Sequence, residues 1–186
     1  MEDSKIIELY WARSEDAISE TAHKYGRYCH YISYNILHSN EDAEECVNET
    51  YLGAWKSIPP HRPQRLATFL GKITRNLSLN RFKQYTADKR GNGQTEFVLS
   101  ELEDCIPEPR SVEQAIDEII VVKSIEQFLY AQPKMKRIIF IRRYWYLNAI
   151  RDIAEQYGMS ESKVTSILFR LRRELKCHLE KEGIVL

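Results

Sequence analysis

The segment from Ala149 to Lys176 constrains this chain most tightly. Ile150, Ile153 and Ala154 share one helical face, and Ala154 is small where two helices must cross closely. Gly158 follows where a helix ends in a left-handed residue, a conformation glycine adopts without steric cost. Ser160 then offers a hydroxyl to the free N–H groups of a new helix. In that helix Val164, Leu168, Leu171 and Leu175 recur at spacings of four, three and four, which makes one inward stripe. Two helices joined by a short turn in this way form a helix-turn-helix. The second helix leaves Ser162, Lys163, Ser166, Arg170 and Arg173 outside. A recognition helix reads base edges from its N-terminal part. Serine and lysine contact bases or phosphates, and arginine forks onto guanine or phosphate. Arg151, on the first helix, is placed for backbone contact. The segment is therefore predicted to bind duplex DNA.

A net charge of zero over 186 residues argues against nucleic acid until its distribution is read. Residues 1–60 carry 5 basic and 11 acidic side chains, and residues 61–90 carry 8 and 1. Residues 91–133 carry 2 and 9, and residues 134–178 carry 11 and 4. Two basic blocks thus alternate with two acidic ones, and a basic block is what phosphate neutralisation requires.

The rest of the chain reads as helix. Asp3 to Arg13 is short and amphipathic; Ser14 is placed to cap a helix over about 15–37, with Gly26 a weak point midway. Asn40 is placed to cap a third helix whose first turn holds Glu41, Asp42, Glu44 and Glu45, where the helix dipole favours anions. Its inward stripe is Ala43, Cys46 or Val47, Thr50, Tyr51, Ala54 and Trp55. Pro59, Pro60 and Pro63 stop it. A fourth helix follows over about 66–88, with Phe69, Leu70, Ile73, Leu77 and Leu79 or Phe82 inward and Lys72, Arg75, Arg81 and Lys83 outward. The pattern lapses over 91–110, apart from a short ordered piece around 97–102. Ser111 to Gln114 fits a capping box for a helix ending before Pro133. The next helix is predicted over 136–147. No strand periodicity occurs. The chain is predicted to be all-α, with two small helical domains at 1–90 and 111–186 joined by a flexible linker at 91–110.

Other function classes find little support. Cys29, Cys46, Cys105 and Cys177 form no C-x-x-C pair and lack histidines at metal-ligand spacing, so they read as reduced thiols. No apolar run reaches the ~20 residues of a membrane span. The acidic N-terminus resembles no secretory leader, so a cytoplasmic location is expected. No phosphate loop, paired-carboxylate or nucleophile constellation occurs; no catalysis, metal or cofactor is expected.

Two blocks carry a family resemblance. The first is Asp42-Ala-Glu-Glu-Cys-Val-Asn-Glu-Thr-Tyr51 with Ala54-Trp55, then Phe69-Leu-Gly-Lys-Ile-Thr-Arg-Asn76 and Arg81. The second is the helix-turn-helix. In order and spacing the chain resembles sigma-70-family factors of the extracytoplasmic-function (ECF) class. The resemblance implies a protein that binds core RNA polymerase, directs it to promoters and helps to open the duplex. The acidic third helix would dock on the clamp helices of the largest catalytic subunit through Asp42, Glu45, Asn48, Glu49 and Thr50. Arg62, Arg65, Lys72, Arg75, Asn76, Asn80 and Arg81 would engage the unpaired −10 element. The C-terminal domain would bind the −35 element and the polymerase flap. An anti-sigma factor is a further implied partner.

There are departures from the family pattern. Ile167 and Phe169 stand where basic or polar residues are frequent, Asn80 where aspartate is frequent, and Phe69 where tryptophan is common. The proline-rich loop replaces an Arg-Gly version. These changes bear on which promoter is read. The competing reading is a two-domain helix-turn-helix regulator that dimerises through its N-terminal helices, which would not need the acidic third helix or the basic loop after it.

Overall fold

The computed structural model describes residues 1–90, 98–102, 105 and 115–184, with the backbone alone for 86–90 and 115–119. Among the described residues the chain is helical and contains no strand. It divides into two compact units, Met1–Gly91 and Asn92–Leu186. Most of the sequence-predicted linker and the Ser111–Gln114 capping box lie outside the described residues.

The first unit holds α1 (Asp3–Trp11), α2 (Asp16–Leu37), α3 (Asn40–Ser57) and α4 (Leu66–Arg90). Ser14, expected to cap α2, falls one residue short: Glu15 holds the cap position with no side-chain cap bond, and Ser14 Oγ accepts only from the Asp16 N–H at 3.4 Å. The cap of α3 falls one residue earlier than its sequence suggests. Ser39, not Asn40, has extended backbone, and its Oγ accepts from the Asp42 N–H. Both residue types cap well, so the sequence did not separate them. α2, α3 and α4 pack on one another around Cys29, Val47, Tyr51, Ala54, Leu66 and Leu70, and α1 adds Ile6, Ile7 and Tyr10. Each fully buried aliphatic side chain here contributes about 1.5–3 kcal/mol.

Hydroxyls and glycines, rather than large apolar groups alone, let these helices approach. Ser78 Oγ donates to Ser33 Oγ at 2.8 Å, and Thr50 Oγ1 donates to Thr74 Oγ1 at 3.0 Å, all four residues being fully buried. Gly26 does not loosen α2, which runs through it unbroken. It admits a neighbour instead: a Cβ there would stand 3.0 Å from the Tyr51 hydroxyl. A Cβ at Gly71 would come within 2.6 Å of the Tyr28 hydroxyl.

The second unit holds α5 (Ala115–Ala131), α6 (Lys134–Tyr144), α7 (Ile150–Gln156) and α8 (Glu161–Lys181). Pro133 stands at the N-cap position of α6 with no side-chain cap bond, and the helix starts and stops earlier than its sequence suggests. Leu147, expected inside it, has a φ of 57° and belongs to the turn before α7. α8 is the hub, packing on α5, α6 and α7. Val164, Leu168, Leu171, Leu175 and Leu179 form its buried stripe, and Ile153 and Ala154 of α7 are buried.

One acidic residue ties this unit together. Glu101, after a helical turn at 98–100, accepts from Arg143 Nη2, from Tyr144 OH at 2.9 Å and from Arg172 Nη1 at 3.1 Å. Arg143 is buried, so losing its counter-charge would strand a cation out of water. Glu101→Gln is expected to cost about 3 kcal/mol, the range for breaking a buried pair. Urea unfolding followed by circular dichroism checks this, and an unchanged midpoint would show that Glu101 is not the tie.

Candidate docking face and nucleic-acid interface

The acidic face of α3 is built by helical repetition. Asp42, Glu45 and Glu49 lie at i, i+3 and i+7, which places them on one side of the helix. Arg81 of α4 reaches all three: Nη1 lies 2.6 Å from Glu45 Oε2 and 3.6 Å from Asp42 Oδ1, and Nη2 lies 3.6 Å from Glu49 Oε1. Tyr85 OH donates to Asp42 Oδ1 at 2.7 Å. Tyr85 was not anticipated; its position four residues after Arg81, one helical turn on, was the available signal. The Tyr85 and Ser39 hydroxyls, with Arg81, hold the Asp42 carboxyl below the usual carboxylate range. The Arg81 bond does the same for Glu45.

Two sequence expectations change here. Thr50, expected on the docking face, is fully buried and spends its hydroxyl on Cys46 O and Thr74. The inward stripe to which its spacing also assigns it is the position it takes. Arg81, expected outward for DNA, is drawn onto α3, and its side chain is only 15% exposed. Glu45 and Asn48 remain exposed and Glu49 half-buried.

The cations of the first basic block divide by position. Lys72, Asn76 and Asn80 are exposed and recur every four residues along α4, so they share one outward stripe with Lys83, also exposed. Lys83 stands at the end of that stripe, three residues after Asn80, and extends it by one cation. Arg75 lies beside the stripe and is half-buried; burial pushes its guanidinium below its ordinary value. Arg65 is exposed. Arg62 pairs with Glu8, and its guanidinium stacks over the Trp11 ring.

In the second unit α7 and α8 are joined by a tight turn. Gly158 takes a φ of 61°, which glycine tolerates without a Cβ penalty. Ser160 caps α8, its side chain accepting from the Lys163 N–H at 3.3 Å. Ser162, Lys163, Ser166, Arg170 and Arg173 are exposed on the side of α8 opposite its buried stripe, and Arg151 on α7 is exposed. Phe169 is 53% exposed, with the Arg173 guanidinium over its ring at 6.0 Å. Ile167 is half-buried. The second basic block is smaller in effect than in count. Arg143 and Arg172 are bound to Glu101, and Arg142 bonds the Tyr157 hydroxyl beneath the Tyr146 ring.

Cys29, Cys46 and Cys105 are buried free thiols and Cys177 is exposed. Burial pushes the Cys29 and Cys46 thiols up, which disfavours the reactive thiolate. Among the described residues no group of His, Cys, Asp and Glu is arranged to hold a metal ion. Nor is any described helix long and apolar enough to cross a membrane.

The carboxylates around Arg81 give a pH test. The folded values of Asp42 and Glu45 lie below the ordinary ones, so these two carboxylates stabilise the fold above about pH 4 and lose that effect as pH falls through the folded values. Arg81→Met is expected to lower the urea midpoint at neutral pH, with a deficit that shrinks on acidification. A deficit independent of pH would show that Arg81 acts by packing alone.

Residues 12–87 match the family model for Sigma-70 region 2. Among curated proteins no sequence matches this chain. The match places a sigma-70 region 2 domain in the first unit, and that domain supports a role in promoter recognition and transcription initiation.

Proposed function

We propose that this chain, with a sigma-70 region 2 at residues 12–87, is a sigma factor of the ECF class that recruits core RNA polymerase to promoters and helps to open them. The family match is the observation that carries the proposal. The arrangement of charge around it supports the division of labour.

Polymerase docking falls to α3. Asp42, Glu45, Asn48 and Glu49 offer carboxylates and an amide to the clamp helices, and fixed negative charge steers a basic partner into register. The exposed stripe Lys72, Asn76 and Asn80, with Arg62 and Arg65 from the preceding loop, takes the opened −10 strand. Cations bind its phosphates, and the amides of Asn76 and Asn80 are suited to base edges. Arg75 supports the stripe from its half-buried place beside it. The C-terminal domain, 111–186 within the second unit, grips the −35 duplex: Lys163, Ser162 and Ser166 lie near the N-terminus of α8, Arg170 and Arg173 further along, and Arg151 meets the backbone. Its other contact is the polymerase flap. Phe169 offers an apolar contact for a thymine methyl. Opening draws on binding energy, with no hydrolysis step. The protein works in the cytoplasm, under an anti-sigma partner.

Run-off transcription with core polymerase and a promoter-fragment library tests the whole reading: discrete transcripts that depend on this chain are expected, and their absence would sink it. Charge reversal at Glu45 and Glu49 is expected to weaken polymerase binding at least tenfold and leave duplex binding unchanged. Lys163→Ala and Arg170→Ala are expected to cost about 1–3 kcal/mol each in duplex binding, the range for one good base contact. Equal affinities in gel-shift titrations would reject these residues as contacts.

One observation favours the second reading. Tyr28, Tyr31 and Tyr34 of α2 are each more than 40% exposed, an apolar surface of the kind a dimer covers. A dimer in sedimentation together with inactivity in run-off transcription would select the dimerising regulator.

A further inference from the structure

Two tryptophan–arginine pairs stand side by side at one end of the first unit, where the turn after α1 meets the proline loop after α3. Trp11, the last residue of α1, is 40% exposed, and the Arg62 guanidinium lies 5.6 Å from its ring centroid. Arg13 lies 5.3 Å from the ring centroid of Trp55 and donates from Nη1 to Trp55 O at 2.6 Å. Tyr10 links the pairs: its ring packs tilted against Trp55 at 6.2 Å, and its hydroxyl bonds Thr21 beneath. Glu8 holds Arg62 over Trp11, and both partners of that ion pair are more than half exposed.

The frame behind the pairs is rigid. Ile6, Ile7 and Tyr10 are buried. Asp3 takes bonds from Lys24 Nζ at 2.6 Å and from Tyr25 OH at 2.5 Å, which pins α1 to α2. Arg13 has a φ of 55°, an uncommon conformation for a residue with a side chain, held by its N–H bond to Tyr10 O. Trp11 therefore sits on an anchored helix. His61, Arg65 and Lys56 are exposed on the neighbouring loop and helix end.

We infer that Trp11 and Arg62 form a stacking site for an unpaired nucleotide of single-stranded DNA, with Arg13 and Trp55 as its flank. An indole face is a sequence-tolerant platform for a base, and a guanidinium beside it serves either the ring or a phosphate. Without DNA, Glu8 keeps Arg62 over the ring. When a strand arrives, the base takes the indole face and Arg62 turns from Glu8 to the phosphate, exchanging one anion for another. Trp11 lies just before the family match at 12–87, and Arg13, Trp55 and Arg62 lie within it. The inference rests on the proposal that this unit engages opened DNA, and it adds a contact upstream in sequence of the α4 stripe.

The test uses the full chain bound to core polymerase, with a fluorescent random-sequence single strand as probe and core polymerase alone as the baseline. Trp11→Ala is expected to weaken strand binding about tenfold, which is about 1.4 kcal/mol and within the range for one stacked base. Trp11→Phe is expected to restore most of that loss, because it keeps a ring. Arg62→Ala is expected to weaken binding and make the salt dependence shallower, as loss of one phosphate contact requires. Strands carrying 5-bromodeoxyuridine are expected to photocrosslink to the peptide containing Trp11. Unchanged binding by Trp11→Ala, equal loss in the Phe and Ala variants, or crosslinks confined to other peptides would overturn the site. Wild-type complex that takes up no single strand beyond the baseline would overturn both the site and the −10 reading. Strand uptake that ignores Trp11 would overturn the site alone. The crosslink is read on wild-type protein, so a poorly folded Ala variant does not remove the test.

Discussion

The close crossing of α2, α3 and α4 governs what the first unit presents to its surroundings. Ser33, Thr50, Thr74 and Ser78 satisfy their hydroxyls on one another or on the backbone one turn back, so no buried polar group is stranded at the crossing. Gly26 and Gly71 admit tyrosine hydroxyls where a methyl group would crowd them. Because these contacts rotate α3 and α4 into fixed register, the carboxylates of α3 and the Lys72–Asn76–Asn80 stripe of α4 both stay at the surface. A larger residue at the crossing would move both at once.

Charge in this protein is partly spent inside the fold. Arg81 serves three carboxylates of α3, so the acidic face carries less net charge than its count of anions. In the second unit Arg143 and Arg172 serve Glu101, a residue of the acidic stretch that precedes them. The cations still facing solvent on α8 lie opposite the leucine stripe. Long-range attraction for DNA depends on this exposed set, whereas the internal pairs hold the scaffold that aims it.

Apolar periodicity made most helices legible. The stripe from Val164 to Leu175 and the left-handed Gly158 are local features, each set by residues within a turn or two. The same holds for Ser160, whose hydroxyl acts three residues away. Helix ends were less legible. Ser39 and Asn40 compete as caps on nearly equal terms, and α6 ends at Tyr144, so Leu147 lies beyond it although leucine favours helix. Its left-handed φ is imposed by the turn into α7 and not by its own preference.

The sequence by itself determined the all-α class, the inward stripes and the alternation of acidic and basic blocks, because helical spacing and charge are written in neighbouring residues. Tertiary structure alone decided which charges are free. Arg81 lies 36 residues from Glu45, and Arg172 lies 71 from Glu101, separations over which no local pattern operates. It also decided that Thr50 belongs to the core, and that Trp11 and Arg62, far apart in the chain, meet as a pair. Side chains so distant in sequence acquire a common environment only when the helices carrying them pack, and the packing fixes which partner each one finds.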